Sequence, residues 1–350
     1  MSPGRIALGI DTFGDVSQRP DGTPVSEAQA LRDVVEQGVL AERVGLEHFA
    51  LGEHHREDMP ASAPDLVLAA IAARTERIKI GSAVTVLSSD DPVRVFERYS
   101  TLNAISGGRA DVILGRGSTI ESFPLFGYDL DDYELLFEEK LDLFARLLEG
   151  PRVTWSGSTR PPLHDTRIVP ALEEALSTWV GVGGSPDSVR RAARHGLPLM
   201  LAIIGGSPAR FAPLAELHRT ELERLGKPPR AIGVHSPGHV AETDREARDE
   251  FWPHYAEVLG RASVERGFAP PTRESFAREI GPDGALFVGA PETVAGKIVT
   301  TLDTLGATRF DLKYGMGALP HERLMRAVEL YGTEVAPLVR EMAGRQVAAR

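Results

Sequence analysis

The chain has 350 residues, 42% hydrophobic and 25% charged, an ordinary globular composition with ample material for a large core. Its formal net charge of −11 argues against nucleic acid as the main partner, because a phosphate backbone needs a basic surface. The absence of cysteine excludes disulfides, thiolate metal sites and cysteine nucleophiles. No uncharged apolar run is long enough for a membrane span, and Met1–Ile10 is too short for a secretory signal, so a cytoplasmic protein is expected.

Strand-like and helix-like runs alternate along the whole length. Ile6–Ile10 has the pattern of a strand. Val25–Val44 is an amphipathic helix, apolar at Leu31, Val34, Val35, Val39 and Leu40 and stopped by Gly45. His48–Leu51 is a strand, Asp65–Thr75 a helix and Ile78–Leu87 a long strand. Asp91 caps a helix over Pro92–Ile105, with proline at its first position. Ala110–Leu114 is a strand, Tyr133–Leu148 a helix and Arg152–Trp155 a small excursion. Strands over Trp179–Val182, Pro198–Ile203 and Ala231–His235 alternate with helices from Ser185 to His195 and over Pro208–Leu225. Thr243–Gly267 is helical, with Pro253 expected to kink or divide it. Pro291–Leu305 is a helix, Arg309–Tyr314 a strand and His321–Tyr331 a helix.

Eight strands in this alternation predict a parallel sheet covered by helices, the number that closes a (β/α)8 TIM barrel. The wide gaps, 110 to 178 and 230 to 308, are insertions after strands four and seven of a single domain spanning residues 1–350. An open doubly wound sheet would want Gly-x-Gly-x-x-Gly after the first strand, where Asp11-Thr12-Phe13-Gly14 stands. Gly181-Val182-Gly183 begins such a motif, but Pro186 occupies the place of its third glycine.

Barrel chemistry sits at the carboxyl ends of the strands. After the fifth strand, Gly183 and Gly184 leave backbone N–H groups open, Ser185 is a helix N-cap and Pro186 the first helical residue. Such a helix N-terminus suits a phosphate, and a plain strand-to-helix turn is the alternative. Arg116, between Gly115 and Gly117, can bind the same phosphate bidentately or form a structural ion pair with Glu121 or Asp111. Asp187 speaks against a phosphate there unless its side chain turns to solvent. Glu53-His54-His55 is the densest polar cluster. Adjacent residues on extended chain point to opposite sides, so proton transfer by His54 is favoured over a shared metal ion.

In order and spacing, Gly52-Glu-His-His55, Ile80–Leu87, Asp91-Pro-Val-Arg94, Ser106-Gly-Gly-Arg109, Leu114-Gly-Arg-Gly117, Phe126-Gly127, Gly183–Ser188 and Gly196-Leu-Pro198 resemble the bacterial luciferase-like flavin monooxygenases, over nearly the full length. The resemblance implies a barrel that binds FMN at its strand ends. It implies that Arg116, Gly184, Ser185 and Ser188 hold the flavin phosphate, with Gly183 also at the cofactor, and that Ala83 and Val84 form a non-prolyl cis peptide against the isoalloxazine ring. It gives His54 the catalytic role, and it implies a homodimer formed through the early helices. Gly115 stands where luciferase has a reactive cysteine, which makes light emission a poor expectation.

The activity so implied is a two-component monooxygenase. A separate reductase supplies reduced FMN, and O2 oxidises a small organic substrate by way of a flavin C4a-peroxide, the flavin carrying the hard chemistry. Phe13, Thr85 and Met316 are expected around the substrate, and Pro270–Leu286 is long enough for a lid. A deazaflavin-dependent hydride transfer is the alternative in the same fold, though no basic run on the relevant loops suits that cofactor's polyglutamate tail. A non-catalytic flavin-binding protein and a barrel for a sugar phosphate are the others.

Overall fold

A computed structural model of the chain describes residues 6–117 and 121–349; the first five residues of the Met1–Ile10 stretch lie outside them. The barrel strands are β1 (Ala7–Thr12), β2 (His48–Leu51), β3 (Lys79–Ser82), β4 (Ala110–Gly115), β5 (Ser177–Val182), β6 (Leu199–Ala202), β7 (Ile232–Val240) and β8 (Arg309–Tyr314). Each pairs in parallel with the next, and β8 pairs with β1 through Ala7↔Arg309 to Asp11↔Lys313, which closes the barrel. The helices are α1 (Glu27–Arg43), α2 (Pro64–Ala72), α3 (Pro92–Ile105), α4 (Tyr133–Leu147), α5 (Pro186–Arg194), α6 (Ala212–Arg224), α7 (Pro291–Leu305) and α8 (His321–Leu330). Side chains fix several starts: Ser26 caps α1, and Asp91 accepts from the Val93 and Arg94 amides at α3.

The insertions fall after β4 and β7, as expected. The first adds a helical turn at Ser122–Phe126 and, beyond α4, an antiparallel hairpin in which Leu163–Arg167 pairs with the Arg152–Trp155 excursion. The second adds helices Asp244–Arg266 and Arg273–Ile280 and a strand, Phe287–Gly289, which pairs with Gly238–Val240. That extra partner carries β7 five residues past His235. Pro253 does not divide its helix. It is exposed, while Phe251, Trp252 and Tyr255 around it pack on Phe276, so the helix continues through it. The long strand expected over Ile78–Leu87 is interrupted at a cis Ala83–Val84 peptide and ends in a 3₁₀ turn at Leu87–Ser89. A C-terminal helix, Ala336–Ala349, follows α8. Among the described residues no helix is long and apolar enough to cross a membrane.

Outward-facing strand residues such as Leu8, Phe49, Val112, Leu201 and Phe310 join the helices in one continuous core. The inward-facing residues are different in kind. Arg309, 1% exposed, donates from Nη1 to Asp111 Oδ2 and from Nη2 to Asp311 Oδ2, each at 2.6 Å. Its guanidinium lies 4.9 Å from the Trp179 ring centre, and the indole Nε1 donates to Asp111 Oδ1 at 3.1 Å. His48 Nδ1 lies 3.5 Å from Asp111 Oδ2. Burial alone would raise the Asp111 pKa, but the Arg309 charge, helped by His48 and Ser177, holds it well below the carboxylate range. Gly9 leaves the room this cluster needs, since a Cβ there would lie 2.5 Å from Asp311 Oδ1.

Removing the guanidinium leaves two carboxylates buried without their cation. Arg309→Leu is expected to lower stability by about 3–5 kcal/mol at neutral pH, read from urea denaturation. A loss below about 1 kcal/mol would show that the cluster is not what holds the barrel base together.

Candidate active site

All eight strands, or the loops that follow them, line one cavity of about 390 Å³ at the carboxyl end of the barrel. His54, Ala83, Val84, Arg116, Gly183, Gly184, Ser185 and Ser188 all face it. So do Asp11, Phe13, Glu53, Ile113, Tyr133, Met200, Ile204, His235 and Asp311.

One end is built by β4 and β5. After Val182 the chain turns through Gly183 and Gly184, the latter at φ +135°, and Ser185 Oγ accepts from the Ser188 amide at 3.4 Å to start α5. A Cβ placed on Gly183 or Gly184 would meet nothing within 4 Å, so open space lies in front of this backbone. Ser188 Oγ is buried beside it with no hydrogen-bond partner. Arg116 lies with its guanidinium 4.9 Å from the Tyr133 ring centre and pairs with Glu134, not with Glu121 or Asp111. Glu134 also accepts from Arg191 Nη2 at 3.0 Å. Asp187, the residue that spoke against an anion, is 79% exposed and turned to Arg190 at 2.8 Å.

The side wall is the Ala83–Val84 segment. Val84 fits between the ends of β4 and β5, where a Cβ on Gly115 would lie 2.5 Å from Val84 Cγ2 and one on Gly181 3.0 Å from Cγ1. The Glu53 amide donates to Val84 O at 3.1 Å, and Glu53 Oε2 accepts from the Val86 amide at 2.9 Å. His54 is buried, with Nδ1 3.4 Å from Glu121 Oε1 and its ring 4.8 Å from that of Phe13. His55 turns the other way, towards a neighbouring pocket of about 150 Å³, with Nε2 3.0 Å from Glu53 Oε1. Among the described residues no group of three or more His, Asp or Glu could hold a metal ion.

The expectation about the substrate residues holds only in part. Of its three named residues only Phe13 reaches the cavity. Thr85 is spent on a 2.9 Å hydrogen bond with Tyr99 in the neighbouring pocket, and Met316 lines a separate crevice beside Gly317 and Leu324. No residue of Pro270–Leu286 lines the cavity either. Phe276 anchors that segment against the Asp244–Arg266 helix, and Glu279 accepts from the Gly206 amide at 3.1 Å.

At the end opposite β4 and β5, His235 Nδ1 lies 2.7 Å from Asp11 Oδ2, and both side chains are buried. Each stands at a strand end in the sequence pattern, but nothing along the chain joins residues 224 positions apart. The signal lies in the barrel itself, because inward side chains of alternate strands share a layer, and β1 and β7 alternate around β8. Burial raises the Asp11 pKa. Burial alone would lower that of His235, but the Asp11 carboxylate overcomes it and raises it. The pair therefore keeps a proton to higher pH than a free imidazole does.

The family described as luciferase-like monooxygenase matches residues 8–309, and the chain belongs to it. Limonene 1,2-monooxygenase of Rhodococcus erythropolis is 27% identical over 311 residues, 85% of this chain and 78% of that protein. The monooxygenase RslO1 of Streptomyces bottropensis superposes with a TM-score of 0.81 at 23% identity, over 95% of this chain and 99% of that one. The oxygenating constituent of 3,6-diketocamphane monooxygenase of Pseudomonas putida, solved in complex with FMN, gives 0.75 at 18% identity, over 95% and 98%. An F420-dependent secondary alcohol dehydrogenase gives 0.72 at 17%, over 96% and 99%. The family and its named members make the chain an oxidoreductase.

The fit of Val84 against Gly115 is testable through stability. Gly115→Ala is expected to cost about 1–3 kcal/mol by overpacking, and the added Val84→Ala change to recover much of it. Thermal denaturation of the single and double variants measures both, and a single variant as stable as the parent would show the wall to be loose.

Proposed function

We propose that the protein is an FMN-dependent monooxygenase that uses reduced FMN and O2 to oxidise a small organic substrate. The observation that carries this reading is the corner where Arg116, the open Gly183–Gly184 backbone and the unpartnered Ser188 hydroxyl converge on one cavity. Three donor types on a helix N-terminus suit a terminal phosphate. When bound there, reduced FMN supplies the electrons that activate oxygen.

The remaining work belongs to the protein. Arg116, the Gly184 and Ser185 amides and Ser188 Oγ would bind the phosphate. Ala83 and Val84 back the ring system from the side wall. Phe13, Ile113 and Met200 keep water from the reacting region. His54, held at Nδ1 by Glu121, leaves Nε2 to take or give a proton. Delivery of reduced FMN by a separate reductase and pairing of two chains belong to the same proposal. Leu66 on α2 and Ile105 on α3, 69% and 65% exposed, support the pairing.

F420 in place of FMN is the second reading, and one of the superposed enzymes is F420-dependent. The charge around the corner favours FMN. Arg116 and Arg191 are paired with Glu134, Arg194 with Glu138 and Arg190 with Asp187, which leaves little net positive charge for a polyglutamate tail.

Titration of the protein with FMN and with F420, followed by oxygen consumption with the reduced cofactors, decides between them. Tighter F420 binding without oxygen uptake would overturn the monooxygenase assignment. Within the FMN reading, Arg116→Ala is expected to weaken FMN by about 1.5–3 kcal/mol in flavin fluorescence titrations. Glu134→Gln, which removes a competing carboxylate, is expected to tighten it by up to about 1 kcal/mol. Equal affinities in all three proteins would remove Arg116 from the phosphate corner. His54→Ala is expected to leave FMN affinity near that of the parent and slow turnover about 10²–10⁴-fold. Unaltered oxygen-dependent turnover would end its proton-transfer role.

A further inference from the structure

The family assignment leaves the far end of the cavity without a role. Asp11 is fully buried on β1, and its Oδ1 has no hydrogen-bond partner. Its Oδ2 holds His235 Nδ1 at 2.7 Å, which fixes the imidazole and leaves Nε2 as the free ring nitrogen. The groups that face the imidazole are few. Asp11 stands on β1, and Asp311 and Lys313 on β8; the Phe13 ring lies at 6.2 Å, stacked, and is itself 4.8 Å from the His54 ring. Lys313 is turned to Asp15 at 3.3 Å and lies 4.7 Å from the Phe13 ring centre. Apart from Asp311, the cavity wall near the pair is apolar, from Phe13, Met200, Ala202 and Ile204.

An imidazole fixed through Nδ1 by a buried carboxylate, with its other ring nitrogen free at the cavity wall, calls for a polar partner in whatever is bound there. We propose that Asp11 and His235 form a second acid–base centre of this cavity, with His235 Nε2–H donating to a carbonyl-type oxygen of the bound molecule. His235 is the group in contact; Asp11 is a positioning residue that keeps the proton on the ring. The acceptor is an edge carbonyl of the flavin or the carbonyl or hydroxyl of an otherwise apolar substrate. The proposal rests on the FMN reading only for what occupies the cavity, not for the state of the pair.

Nitrogen-15 NMR of histidine-labelled protein tests it without turnover. In the parent one imidazole should keep its proton to higher pH than the exposed histidines do. Asp11→Asn should lower that titration, because burial is then opposed only by the Asp311 charge. His235→Gln should delete the resonance while the fold stays intact by circular dichroism. Added FMN, and then FMN with cyclohexanone, separates the two acceptors. A shift of the His235 Nε2 resonance with FMN alone, with FMN binding at least about fivefold weaker in His235→Gln, assigns the flavin edge. A shift only when the ketone is added, with unchanged FMN affinity, assigns the substrate. A resonance that neither FMN nor the ketone moves, or one that titrates alike in the parent and Asp11→Asn, overturns the proposal. If FMN fails to bind at all, the FMN reading falls, while the comparison of the parent with Asp11→Asn still judges the pair.

Discussion

A guanidinium buried at the axis of the barrel sets the terms for everything above it. Arg309 has no route to water, so it needs carboxylates, and β4 and β8 bring Asp111 and Asp311 to it. Those carboxylates and the Trp179 indole then need space, and glycine on neighbouring strands provides it. A Cβ on Gly9 would strike Asp311 and His48, one on Gly81 would strike the Asp111 carbonyl, and one on Gly233 would strike Met200. The lower half of the barrel is thus closed by a charge cluster and by the chain itself. The upper half has no such plug, and the cavity opens there.

The cavity has two chemically unlike ends on opposite sides of the barrel. At β4 and β5 a helix N-terminus, an arginine and an orphaned hydroxyl meet, the corner proposed above as an anion cradle. At β7, β8 and β1 a carboxylate–imidazole pair makes a proton-holding end. Between them Val84, Ile113, Met200 and Phe13 present apolar surface, with His54 set into it. This sequence of surfaces suits a molecule with an anionic head, a flat apolar body and a polar far edge. The apolar middle also sharpens both ends, since charges and hydrogen bonds act more strongly where water is excluded.

Much of this was legible before any coordinates. Apolar runs alternating with capped helices announced the barrel, and the places of its two insertions followed from the gaps between strands. The strand-to-helix turn at Gly183–Ser188 and Arg116 between glycines were visible because each is a local pattern. What escaped depends on closure. Asp11 and His235 face each other only because β1 and β7 share a layer of inward side chains, and Asp111 meets Arg309 for the same reason on β4 and β8. Pro253 does not divide its helix: its local cost is real, yet aromatic packing on both sides of it carries the helix through. Thr85 and Met316 misled because strand ends alternate, and one residue of shift sends a side chain to the other side of the wall.

The ion pair at the cradle fits this division. Arg116 is matched by Glu134, an exposed carboxylate, and exposed pairs hold together by only about 0–1 kcal/mol. A phosphate dianion that approached the helix N-terminus would outbid such a partner for the guanidinium. Glu134 would not be stranded, because Arg191 already holds its other oxygen at 3.0 Å. The cradle is therefore kept neutral by a counterion that can step aside at small cost. Its neighbours Arg191, Arg194 and Arg190 stay committed to Glu138 and Asp187. On the proposed reading the corner accepts one compact anion without exposing a broad basic surface, and that limit on its charge is a physical reason to favour a cofactor ending in a single phosphate.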